Sequence, residues 1–129
     1  MNKNCNVRKD LRIEICKDML VDTFLINGDE KKLPKMLSSK VTNLSSNGLK
    51  FISQLDIPKH IGLIFNIQTD KEVIVAKASI IRKLKVDNEY SYGCEFIKSS
   101  GNQQKLRRYI YKEQLRIERY RVKSLSASV

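Results

Sequence analysis

The chain has 129 residues, 41% of them apolar and 30% charged, and a formal net charge of +11. This length accommodates one domain with a real core and is too short for two ordinary ones. The charge favours an anionic partner, be it nucleic acid, an acidic membrane surface, a phosphorylated small molecule or an acidic protein, without choosing among them. Cys5, Cys16 and Cys94 are odd in number and lack any Cys-x-x-Cys pairing. They therefore argue against a disulfide framework or a zinc site and for a reducing cytoplasm. No apolar stretch approaches the roughly 20 residues of a membrane span, and the start lacks the basic-then-apolar pattern of a signal peptide. The expectation is a cytoplasmic protein without a membrane span.

In chain order, "MNKNCN" is polar and has little to bury. From Ile13 to Ile26, "IEICKDMLVDTFLI" mixes alternation with β-branched and aromatic residues, as a long or bent strand does, with a helix as the alternative. "NGDEKKLPKMLSS" follows, with Asn-Gly, a charge run and Pro34, and reads as a loop carrying solvated Lys31, Lys32 and Lys35. "KVTNL" and "GLKFI" then flank the cluster "NLSSNG", and "IGLIFNIQ", "EVIVAKASIIRKLKV" and "YSYGCEFI" complete a set of six strands. Short connections such as "TDK" and "DNE" favour antiparallel neighbours, and closing the sheet removes exposed edges, so a barrel is expected.

The period then changes from two to 3.6. Between Gly101 and Val122, Leu106, Tyr109, Ile110, Ile117 and Tyr120 share one face, while Arg108, Lys112, Arg116 and Arg119 share another. This predicts an amphipathic basic helix that packs its stripe on the barrel, and Glu113 within the stripe leaves dimerisation through the helix open. Ser124 to Val129 are small and weakly apolar, and residues 123–129 are expected to form a disordered tail.

Two short patterns carry chemistry. "VRKDLR" sets Arg8 and Arg12 four residues apart in the segment 1–12, read as a flexible N-terminal arm. Two guanidiniums can converge on one anion, since each offers a planar fork that bonds phosphate bidentately, pairs with guanine O6 and N7 and stacks on flat bases. A chain this basic yields about one Arg-x-x-x-Arg by accident, so the pair alone is weak. The second pattern is Asn43-x-Ser45-x-x-Gly48, between two predicted strands, where Asn, Ser and Gly bend the backbone.

The order and spacing of the two patterns resemble the PilZ domain family, small β-barrels that bind cyclic di-GMP through an N-terminal Arg-x-x-x-Arg and an Asp/Asn-x-Ser-x-x-Gly on the barrel. The resemblance runs over roughly residues 7 to 120, with "YGCEF" similar to the closing strand and a helix after it. It implies a mainly β fold, a six-stranded antiparallel PilZ-type β-barrel with a C-terminal amphipathic α-helix, in which residues 13–122 form barrel and helix. It also implies a bacterial cyclic di-GMP receptor whose arm closes over the ligand and alters contact with an unidentified protein target in motility, exopolysaccharide or attachment control. Arg8 and Arg12 would grip phosphates and guanine edges, Asn43 and Ser45 would hydrogen-bond the ligand, and Gly48 would permit close approach at the turn. Asn43 stands where Asp is more usual and adds no negative charge beside a dianion. Val7 stands where many members carry a further Arg, which implies one ligand per chain.

Other function classes are weaker on the residues. A nonspecific nucleic-acid-binding barrel fits the charge, but the scattered aromatics form no stacking platform. A ligand-independent PilZ-like adaptor is the other alternative. His60, the only histidine, has no Cys or acidic constellation beside it, so no enzyme and no cofactor is expected.

Overall fold

The computed structural model describes residues 12–97 and 103–127, with side chains described for 13–97 and 103–119. Six antiparallel strands, β1 (Arg12–Ile26), β2 (Asp29–Ser45), β3 (Gly48–Ser53), β4 (Gly62–Gln68), β5 (Val73–Val86) and β6 (Glu89–Phe96), precede one helix, α1 (Gln103–Ala127). They close into a barrel in the order β1-β2-β3-β6-β5-β4, with β4 hydrogen-bonded back to β1. Closure leaves the barrel proper without sheet edges.

The core follows from strand alternation, which sends every second side chain inward. Val73 to Ile80 of β5 bury Ile74, Ala76, Ala78 and Ile80, and β4 buries Leu63, Phe65 and Ile67. Phe51 packs edge-on against Phe65 and stacks on Tyr92 at 4.8 Å, so β3, β4 and β6 meet through aromatic rings at the centre. The Tyr92 hydroxyl accepts from Ile57 N at 2.7 Å and donates to Leu55 O, which ties the β3–β4 connection to the core.

α1 buries Leu106 and Ile110 and half-buries Tyr109 and Ile117, as the helical spacing predicts. Lys17 of β1 clamps it to the barrel, donating to Tyr109 Oη at 3.1 Å and to Gln68 O at 2.7 Å. Glu113 accepts from Arg116 at 2.8 Å, one turn along the helix.

Three expectations are corrected. The segment 27–39 is a hairpin: Asn27 and Gly28 both take positive φ, 52° and 85°, the pairing geometry that joins twisted strands directly, and β2 runs on from Asp29. Pro34 is accommodated because the β1–β2 register jumps from Val21↔Leu37 to Thr23↔Lys32, a bulge in which no ladder hydrogen bond is asked of it. The strand β1 starts at Arg12, inside the segment read as an arm, because Arg12 pairs with Ser45 in register. The helix continues through Ala127 into the expected tail, since Lys123, Leu125 and Ala127 are good helix formers and neither Gly nor Pro interrupts.

Candidate functional site

The cluster "NLSSNG" forms the corner between β2 and β3. A bulge between Val41 and Asn43 inserts one residue into β2 and reverses its alternation there. Leu44 consequently points into the core, fully buried, while Asn43 and Ser45 on either side of it are partly exposed on the outer face.

Ser45 holds the corner together. Its hydroxyl accepts from Asn47 N at 3.2 Å and Gly48 N at 3.1 Å and donates to Gly48 O at 3.2 Å. One donor and two lone pairs are all that a hydroxyl has, so each is engaged inside the corner. Gly48 is required by space rather than by φ: a Cβ there would lie 2.0 Å from the carbonyl oxygen of Cys94 in β6. The close approach it permits is that of β6, which also donates Phe96 N to Asn47 O at 2.8 Å. Directly beneath, burial pushes the Cys94 thiol up to about 12 and leaves it inert at neutral pH.

Register extends the site across the barrel wall. Asn43 pairs with Lys50, Lys50 with Gly93, and Gly93 with Arg82, which makes one outer row over β2, β3, β6 and β5. The row depends on a second bulge, between Ile80 and Arg82, that turns Arg82 outward after a stretch in which even-numbered residues are buried. Gly93 contributes no side chain, and the Arg82 stem lies across it: a Cβ on Gly93 would sit 3.4 Å from Arg82 Cβ. An open groove of about 290 Å³ runs along this row, lined by Asn43, Ser45, Gly48, Lys50, Arg82 and Glu95 among others.

Of the five residues expected at the site, Asn43, Ser45 and Gly48 lie together in this groove, and the Arg12 backbone is brought beside it by pairing with Ser45. Arg8 lies outside the described residues. Lys50 and Arg82 complete the row; Lys50 has no signal in the sequence beyond its charge, and Arg82 stands there as a strand-end arginine that could help the pocket but is more simply solvated. Among the described residues, no group of three or more His, Cys, Asp and Glu side chains could hold a metal, and no helix is long and apolar enough to cross a membrane.

The PilZ domain family model matches residues 6–112, and the chain belongs to that family. Among solved structures, the chain is similar to the Bacillus subtilis inhibitor of motility MotI/DgrA, with a TM-score of 0.62 and 17% identity over 88% of this chain and 54% of that one. It is similar to Escherichia coli YcgR in complex with c-di-GMP, with a TM-score of 0.63 and 16% identity over 92% of this chain and 50% of that one. The isolated PilZ domain of YcgR with c-di-GMP gives a TM-score of 0.57 and 16% identity, over 89% of this chain and 98% of that domain. The chain thus spans about half the length of the two larger proteins and nearly all of the single domain. No curated protein matches it.

Proposed function

We propose that the chain is a receptor for cyclic di-GMP and not an enzyme, and that it acts on a protein target. The observation that carries this reading is the outer row Asn43–Lys50–Gly93–Arg82 beside a corner to which Arg12 is paired, because it sets an amide and two cations around an open groove. A cyclic dinucleotide needs those groups: cations for two phosphates, and guanidinium or amide edges for its guanines. Membership of the PilZ family and the likeness to two structures of c-di-GMP-bound YcgR support the same ligand.

In this reading Arg8 and Arg12 supply bidentate contacts from the N-terminal segment, and Asn43 bonds the ligand directly. Ser45, with its hydroxyl already engaged, acts by fixing the corner, and Gly48 acts by letting β6 close behind it. Each charge-assisted hydrogen bond contributes on the order of 1.5 to 3 kcal/mol, so several together offset the ordering of a few arm residues. Closure of the arm then changes the surface offered to the target, and the likeness to an inhibitor of motility points to a motility output. One dinucleotide binds per chain, because Val7 can neither pair with phosphate nor stack as a guanidinium.

Isothermal titration calorimetry with cyclic di-GMP, and GMP as control, tests this on the wild type and an Arg8→Ala/Arg12→Ala variant. Saturable binding near one ligand per chain, lost in the variant and absent with GMP, is expected. No heat and no thermal stabilisation of the wild type would overturn the receptor reading and favour a ligand-independent adaptor.

A further inference from the structure

A second groove, of about 380 Å³, adjoins the first on the same outer face. The two share Lys50, Arg82 and Gly93, and the second adds Lys59, Lys83 and Leu84. Its wall is fixed rather than loose. The β3–β4 connection that carries Lys59 is bonded to β5 through His60 N to Ile80 O at 3.0 Å, to β6 through the Tyr92 hydroxyl, and to Lys83 through Asp56. Asp56 neutralises Lys83 alone. Among the described residues, none of the ion pairs involves Lys50, Lys59 or Arg82, so three positive charges face one depression without a carboxylate partner.

Beside these cations the hairpin of β5 and β6 exposes aliphatic surface. Leu84 is 64% exposed and Val86 51%, and they lie two residues apart, hence on one face of β5. Large aliphatic side chains held in water next to unpaired cations suit a protein segment with both carboxylates and an apolar anchor. They suit a nucleic acid poorly: of the two tyrosine rings of β6 beside this hairpin, Tyr92 is buried, and Tyr90 already has the Lys83 and Lys85 ammonium groups at 5.0 and 5.9 Å from its centre.

We propose that this groove seats an acidic segment of a partner protein, with an aliphatic side chain against Leu84 and carboxylates on Lys59, Lys50 and Arg82. Because Lys50 and Arg82 belong to both grooves, the segment and a bound dinucleotide compete for the same cations, and ligand binding releases the partner. The docking site stands on the geometry alone, whereas the competition rests on the receptor reading above.

The test is selection from a library of random peptides of about twelve residues on the full chain, with counter-selection on a Lys59→Glu/Leu84→Ser variant. Both positions are exposed, and an unchanged melting temperature of the variant establishes its fold; Leu84→Ser alone serves as the second variant. Peptides with several carboxylates around an aliphatic residue are expected, binding about tenfold or more weakly to the variants by fluorescence anisotropy and weakening with salt. Cyclic di-GMP added to the complex displaces the peptide, while its own calorimetric binding is the same in wild type and Leu84→Ser. Peptides without acidic residues, peptides bound equally by the variants, or a single-stranded oligonucleotide whose binding falls in the same variants would each overturn the docking proposal. A dinucleotide that binds by calorimetry without displacing the peptide would overturn the competition. A dinucleotide giving no heat while acidic peptides still bind would leave the docking site standing and remove the receptor reading instead.

Discussion

Two corners of the barrel wall are built from the same residue types and do different work. Asn27-Gly28 joins β1 to β2 and needs glycine for its backbone: φ is +85°, and nothing lies within 4 Å of where a Cβ would be. Ser45 to Gly48 joins β2 to β3 and needs glycine for space, because the Cys94 carbonyl occupies the Cβ position. The first corner only reverses the chain. The second is stitched by a serine hydroxyl and backed by a neighbouring strand, which fixes the shape of the wall that the proposed ligand would meet. Asn-Gly composition announces a turn; what lies behind the turn decides whether it becomes a site.

Substitutions separate the two corners. Gly48→Ala is expected to be the most damaging, costing about 3 kcal/mol, because a backbone carbonyl cannot move aside as a flexible side chain can. Its thermal midpoint should fall by on the order of 10 °C in calorimetry. Ser45→Ala removes three contacts of one hydroxyl and should cost about 1 to 2 kcal/mol by urea denaturation, with weaker dinucleotide binding as well, since the corner loses its shape. Gly28→Ala meets no atom and only pays for left-handed backbone, about 1 kcal/mol, and should leave ligand affinity unchanged in calorimetry. Equal effects of Gly28→Ala and Gly48→Ala on stability would break the distinction between a glycine needed for φ and one needed for room.

A third connection, between β3 and β4, adds an ion pair to its backbone and tyrosine bonds, and that pair supplies the smallest effect. The hydrogen bond from Lys83 holds the Asp56 carboxyl below its ordinary value of 3.8, and Asp56 in turn raises Lys83 above 10.5. A depressed carboxyl contributes stability above its unfolded value and loses it as pH falls through the lower folded value; the raised amine contributes below its unfolded value and loses it as pH rises through the higher folded one. Asp56→Asn should therefore melt slightly below the wild type at neutral pH, with the gap closing under about pH 4. No gap at neutral pH would show the loop to be held by its tyrosine bonds instead.

Much of this architecture is legible in the amino-acid sequence. Six strands and an amphipathic helix follow from periodicity, and "NLSSNG" with the two arginines points to the family. The hairpin at Asn27-Gly28 is not legible as such, because Pro34 and three lysines look like a loop unless a bulge is known to accommodate them. The row Asn43–Lys50–Gly93–Arg82 is hidden for a related reason. Which residues stand side by side on a barrel depends on register, and two single-residue bulges, at Val41/Asn43 and Ile80/Arg82, shift it. A shift of one residue exchanges inside for outside, so alternation read along the chain would misplace Arg82. The helix end escapes a reading by composition because small residues look like a tail, although nothing in them stops a helix already begun.

The cysteine under the Ser45–Gly48 corner offers a kinetic view of the same wall. Cys16 is exposed and Cys94 is buried against the corner, so a thiol reagent meets one at once and the other only when the barrel wall around β6 opens. The labelling rate of Cys94, referred to that of Cys16, therefore reads how often the wall behind Gly48 opens, and slowing on addition of cyclic di-GMP would time the seal expected if the proposed ligand binds at the corner.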